Sequence, residues 1–359
     1  MSDGNSRGMR RLLVVIPNWV GDVVLATPVL AALRAQFRAA RIGYLMRRNL
    51  AELVAGGGWH DQEYYWPQQR GLRREVRTFE LAGRLRGEGF DAALLLTNSF
   101  RAALVARLGR IPRRIGYARD ARDRLLTDRL RPLRQNGEFV PSPLLDAYVR
   151  LAERVGCRVL DRRLRLGLTP QQERAGRRLL EQYGLHAGRP YAVINPGAAF
   201  GAAKRWPAER FAELCDRLPR ELELTPVIVG APNEAALMRR IAELARSRPV
   251  CCDDPPTTLG SLKVLVREAK LLVCNDTGPR HYGNAFDVPT VTIFGPTDPA
   301  WTDTGYAREI IVREPVECGP CQLRTCPLDH RCMTRIPVER VLQAAREVLG
   351  VASTAGAPV

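Results

Sequence analysis

Four stretches of this 359-residue chain pair tight turns or clustered thiols with side chains able to do chemistry. The first is Pro17-Asn18-Trp19-Val20-Gly21-Asp22, in which Gly21 lets backbone approach a partner. Asp22 there suits either the cap of the following helix or a carboxylate facing a ligand. The second runs from Asn195-Pro196-Gly197-Ala198 to Lys204-Arg205-Trp206-Pro207. A small-residue loop that ends in a lysine before a helix fits a phosphate, through backbone N–H groups and a cation; an exposed loop lysine is the plainer alternative. Gly-Lys-Ser/Thr is missing, so this is not a Walker loop. In the third, Asn275-Asp276-Thr277-Gly278-Pro279-Arg280-His281, a strand gives way to a helix whose start either caps itself or faces an anion. Two phosphate-suited turns on neighbouring strands point together to a nucleoside diphosphate. Glu234, after another strand, is placed to meet a sugar hydroxyl. The fourth is Cys318-x2-Cys321-x4-Cys326-x5-Cys332 with His330 nearby. It suits a tetrahedral zinc site, an oxidisable pair or unliganded thiols. No open catalytic metal site is evident.

Turns of this kind act at the carboxyl ends of parallel strands. The chain supplies such strands by alternating short β-branched runs with amphipathic helices, which predicts an α/β architecture. Strands are expected over Arg11–Pro17, Arg41–Met46, Asp91–Thr97 and Arg114–Tyr117. Helices are expected over Asp22–Phe37, Glu75–Arg86, Phe100–Leu108 and Leu144–Val155. The pattern restarts after Pro170, with strands at Tyr191–Asn195, Leu224–Val229, Leu271–Asn275 and Thr290–Phe294. Two doubly wound, Rossmann-like domains facing a cleft follow, over residues 9–170 and 171–336. A closing helix spans 337–350, and 351–359 reads as a mobile tail.

Charge is unevenly shared. The net charge is +17, from 55 basic and 38 acidic side chains. Residues 1–170 carry 31 basic against 16 acidic groups, and residues 171–359 carry 24 against 22. The first half is therefore expected to meet an anionic partner. It shows no recognition-helix motif or aromatic stacking platform, which argues against nucleic acid. No apolar run approaches the roughly 18 residues of a membrane span, and the run at Arg10–Ile16 ends too soon for an export leader. A cytoplasmic protein with mostly reduced thiols is expected. Cys157, Cys215, Cys251, Cys252 and Cys274 read as small core residues.

On Pro17–Asp22, Thr97-Asn98-Ser99-Phe100 with Arg114-Ile115-Gly116-Tyr117, Pro196–Pro207, and Asn275–Gly278 with His281, the chain resembles the ADP-heptose:lipopolysaccharide heptosyltransferases, most of all the type II members. The resemblance runs from about Arg11 to Leu349 and implies a GT-B fold. It implies an inverting transfer of heptose from ADP-L-glycero-D-manno-heptose to the heptosyl-Kdo lipid A inner core of lipopolysaccharide. The basic N-terminal domain would bind the acceptor, and the second domain the nucleotide sugar. Asp22 would be the general base, with Lys204 as catalytic partner on the ADP phosphates. Gly197, Ala198, Lys204, Glu234, Asp276, Thr277, Gly278 and His281 would line the donor site. Arg47, Arg48, Asn98 and Arg114, with Arg113 beside them, are the candidate acceptor contacts. No cofactor or metal is implied, in keeping with the lack of an Asp-x-Asp motif. Peripheral attachment to the inner leaflet of the inner membrane would suit such an acceptor. Pro279-Arg280 departs from the family's usual apolar pair, and Arg280 is a further candidate phosphate contact. The alternatives are a type I or III heptosyltransferase or a nicotinamide-dependent sugar-nucleotide oxidoreductase or epimerase. Gly-x-Gly-x-x-Gly follows neither first strand, which argues against the nicotinamide enzyme.

Overall fold

A computed structural model describes residues 8–68, 72–135, 137–185 and 188–351. The chain divides into two compact units. One runs to Gly167 and takes in Ala300–Thr304; the other runs from Leu168 through Pro299 and resumes at Gly305. Residues 352–359, most of the expected tail, lie outside the described residues.

In the first unit, Leu12, Leu13, Val14 and Val15 are fully buried in β1 (Arg11–Val15), as a strand covered on both faces requires. It is followed by α1 (Val20–Gln36), β2 (Arg41–Met46), α2 (Ala51–Val54), β3 (Gln62–Tyr65) and α3 (Leu72–Glu88). Next come β4 (Ala92–Leu95), α4 (Phe100–Leu108), β5 (Arg113–Tyr117), β6 (Asp128–Leu130), the small antiparallel pair β7 (Arg134–Gln135) and β8 (Glu138–Phe139), and α5 (Leu144–Arg154). The sheet order is β3-β2-β1-β4-β5-β6, and all neighbours are parallel. Pro28 inside α1 has no N–H for the Val24 carbonyl. The hydroxyl of Thr27 takes that place at 2.7 Å and accepts the Arg165 N–H at 3.0 Å, tying the segment after α5 onto α1.

The second unit opens on α6 (Pro170–Gln182), where Thr169 and Gln172 close a reciprocal capping box and Pro170 occupies the first turn. It continues with β9 (Tyr191–Asn195), α7 (Ala208–Glu221), β10 (Thr225–Ile228), α8 (Ala235–Leu244), β11 (Val250–Cys251) and α9 (Leu259–Glu268). Then follow β12 (Leu271–Asn275), α10 (Arg280–Ala285), β13 (Thr290–Phe294), β14 (Glu309–Arg313), α11 (Arg331–Thr334) and α12 (Val338–Leu349). The order β11-β10-β9-β12-β13-β14 repeats that of the first sheet, again wholly parallel. α12 ends on Gly350 in the left-handed conformation and lays Val341, Leu342 and Ala345 into the core shared by β9, β12 and β13. Cys157, Cys215, Cys252 and Cys274 are buried and Cys251 is half-buried.

In each sheet the strand order reverses once, between β1 and β4 and between β9 and β12. At such a reversal the loops leaving adjacent strands part and open a crevice. The turns singled out in the sequence follow these four strands.

Candidate active site

In the second unit the loop leaving β9 is held by its neighbours. The Glu234 carboxylate accepts the N–H of Ala198 at 2.9 Å and that of Ala231 at 3.0 Å, joining the loops after β9 and β10. A Cβ on Gly197 would lie 2.1 Å from that carboxylate, so any larger residue there would displace the Glu234 clamp. Asn275, at the end of β12, donates to the Pro196 carbonyl at 2.7 Å and accepts the Trp206 N–H at 3.2 Å. Between these anchors Lys204 is turned onto Asp276. Its Nζ lies 2.5 Å from Oδ2, with the side chains 12% and 11% exposed. The hydroxyl of Thr297, from the loop after β13, donates to the same oxygen at 2.6 Å. Burial alone would raise the Asp276 carboxyl, but the Lys204 charge and the bonds from Lys204 and Thr297 outweigh it and hold it below its usual range. The Phe200 ring lies 4.9 Å from the ammonium.

Two expectations need correcting here. Glu234 serves as the clamp between two loops, both oxygens taken by backbone N–H groups, rather than standing open to a sugar hydroxyl. Arg280 turns into the fold: it is 2% exposed and bonds Glu309 of β14 at 2.5 and 3.0 Å, so it faces no phosphate. Thr292 donates to the same carboxylate at 2.5 Å. His281 is not a cation. Burial first, then the Arg280 charge, push its pKa down to about 3.

Holding an imidazole neutral in the fold has a pH signature. Above about 6.5 neither the folded nor the unfolded chain protonates it, and its contribution to stability is complete. Below that, the unfolded chain takes up a proton that the folded chain refuses. Stability should fall by up to about 1.4 kcal/mol per pH unit as the pH drops towards 3. Denaturant midpoints between pH 6.5 and 4.5 check this. His281→Gln should flatten the slope, and an unaltered slope would show that the imidazole is protonated in the fold.

In the first unit Trp19 holds the cap position before α1, and its side chain makes no cap bond, so Asp22 is not the helix cap; it stands in the first turn, where the helix dipole favours a carboxylate. It is half-buried beside Tyr148 of α5, whose phenol is pushed up by burial and then by the Asp22 charge. Asn98 follows β4, and its Oδ1 accepts from Arg122 at 2.9 Å. Arg122 is fully buried and also donates to the carbonyls of Thr97 and Tyr117. Arg47 and Arg48 follow β2 and are exposed, Arg48 lying 4.1 Å over the Tyr65 ring.

Arg114 does not stand with them. It is the second residue of β5, near the amino end of the strand, and its guanidinium bonds the carbonyls of Leu125 at 2.7 Å and Ile111 at 2.5 Å. Arg113 beside it pairs with Asp128 at 2.8 Å. Both hold the fold at the sheet end opposite the one where ligands gather.

Thr297, Phe200 and Arg122 were not singled out from sequence. Thr297 was within reach of the strand-end rule, since it closely follows β13. The four C-terminal cysteines form no disulfide, and burial followed by its three neighbours pushes the Cys332 thiol up to about 11. Among the described residues no group of three or more His, Cys, Asp or Glu is arranged to hold a metal ion.

The model of glycosyltransferase family 9 (heptosyltransferase) matches residues 78–331. The chain belongs to glycosyltransferase family 9. Lipopolysaccharide heptosyltransferase 2 of Escherichia coli K12 is 30% identical over 81% of this family 9 chain and 84% of that protein. Its Salmonella typhimurium counterpart is 28% identical over 94% and 98%. The solved ADP-heptose lps heptosyltransferase II of E. coli superposes with a TM-score of 0.76 at 24% identity, covering 94% of this chain and 98% of that one. The family 9 chain thus has the GT-B class of fold, and it is a glycosyltransferase rather than a nicotinamide enzyme. No described helix of this transferase is long and apolar enough to cross a membrane.

Proposed function

We propose that the chain moves heptose from ADP-L-glycero-D-manno-heptose to the heptosyl-Kdo lipid A inner core of lipopolysaccharide, with inversion. The observation that carries the reading is Lys204, closing an anchored small-residue loop at the strand-order reversal of a family 9 chain. The donor and the type follow those of the heptosyltransferases it resembles.

In this reading the Asp22 carboxylate accepts the proton of the acceptor hydroxyl as its oxygen bonds to the anomeric carbon. The bond from that carbon to the diphosphate oxygen breaks on the far side, and ADP leaves with the electron pair. One base and a cationic site for the departing charge meet the needs of such a transfer. Lys204 supplies the cation; Gly197, Ala198, Asp276, Thr277, Gly278 and His281 line the donor site, His281 as a neutral hydrogen-bonding group. Arg47, Arg48 and Asn98 face the anionic acceptor, whose lipid places the work at the inner leaflet with the protein peripheral to it in the cytoplasm. Residues 9–170 are the acceptor domain and 171–336 the donor domain.

Titration with ADP-heptose, with UDP-glucose as control, and ADP release on adding acceptors test this. ADP-heptose alone should bind, and release should require a Kdo-containing acceptor that already carries one heptose. Release with the acceptor lacking heptose would make the enzyme type I, and absence of ADP-heptose binding would overturn the donor.

A further inference from the structure

We propose that Arg324, from the cysteine-bearing segment before α11, is a second cation of the donor site and contacts the diphosphate of the bound nucleotide. The inference rests on the reading that this site takes ADP-heptose. The paired cations around the lysine loop are already balanced: Lys204 by Asp276, Arg280 by Glu309. His281 is uncharged. A diphosphate brings at least two negative charges into that balance, so a further positive charge is needed to stabilise its departure.

Arg324 is placed to give it. Its guanidinium carbon lies 5.2 Å from the centre of the Phe200 ring, and the Lys204 ammonium lies 4.9 Å from the same centre. One ring thus carries both charges, as cation–π contacts allow. Among the described residues no carboxylate pairs with the Arg324 side chain, which is exposed. Its position is fixed through the backbone. The Arg324 carbonyl accepts the Ala203 N–H at 3.0 Å, and a Cβ on Gly201 would lie 2.2 Å from that oxygen. His330 bonds the Ala203 carbonyl at 2.7 Å, and the Gln322 N–H donates to Pro296 at 2.8 Å. The segment therefore forms a wall of the lysine loop, and its guanidinium is the part left for a ligand.

Arg324→Gln keeps the backbone bonds and removes only the charge. ADP affinity should fall about tenfold or more, the range of a lost charge-assisted hydrogen bond, and kcat should fall with it. Adenosine, which lacks the diphosphate, should bind the variant as it binds the wild type, and Arg324→Lys should restore most of the ADP affinity. Unchanged ADP affinity in Arg324→Gln overturns the inference, and so does an equal loss for adenosine, the mark of a merely structural role. Failure of the wild type to bind ADP would instead remove the donor reading itself, and this inference with it.

Discussion

Asp22→Asn lowers kcat by about 10²- to 10⁴-fold, the range a positioned general base supplies, while ADP affinity stays within about twofold. The expectation follows from where the residue stands. Asp22 lies in the first unit, on the first turn of α1, and every donor contact proposed above lies in the second. Asparagine matches the carboxylate in shape, so the packing beside Tyr148 survives and only proton acceptance is lost. Transfer rates with saturating ADP-heptose and acceptor, alongside ADP titrations, make the test. Turnover within tenfold of the wild type would remove Asp22 as the base.

Lys204→Ala should weaken ADP binding by two to three orders of magnitude, more than the loss of one contact would explain. The alanine leaves Asp276 nearly buried with only Thr297 bonded to its oxygen, in the site proposed above for the diphosphate. Removing one partner of a buried hydrogen-bonded charge pair costs about 2–5 kcal/mol, much of it the penalty on the charge left behind. The double variant Lys204→Ala/Asp276→Asn should therefore bind ADP better than Lys204→Ala alone. A double variant as weak as the single one would show that the carboxylate does not oppose the nucleotide. ADP affinity unaffected by Lys204→Ala would place the phosphates elsewhere.

The central strands and the turns that leave them were legible in the sequence for one reason. A parallel strand covered on both faces must be a short apolar run, and its carboxyl end must change character abruptly where it meets a ligand. β1, β4, β9 and β12 announce themselves in this way. Within the two six-stranded sheets, the strands the pattern does not reveal are β3, β6, β11 and β14, their outer members; the small pair β7 and β8 is not foreshadowed either. An outer strand has one neighbour and more solvent, so Gln62-Glu63-Tyr64-Tyr65 carries polar residues, and β11 has only two residues. What escaped at the site was pairing across distance. Lys204 and Asp276 each read as a ligand group, and nothing local to either says that they bond one another across 72 positions. Arg280 and Glu309 stand 29 apart, and only the burial of both reveals the pair. The residue type of Arg114 suits an anionic acceptor, but its place near the amino end of β5 turns it to the backbone of the fold.

The hydrogen bond from Ala203 to Arg324 also bears on how the site breathes. Ala203 N–H and C=O are both bonded to the segment before α11, so the lysine loop is tied to it at two points. Exposing the Ala203 amide to solvent requires its bond to the Arg324 carbonyl to open, so its exchange is expected to follow the parting of the loop from that segment. Solvent exchange at Ala203 is thus a gauge of the docking of the cysteine segment against the lysine loop.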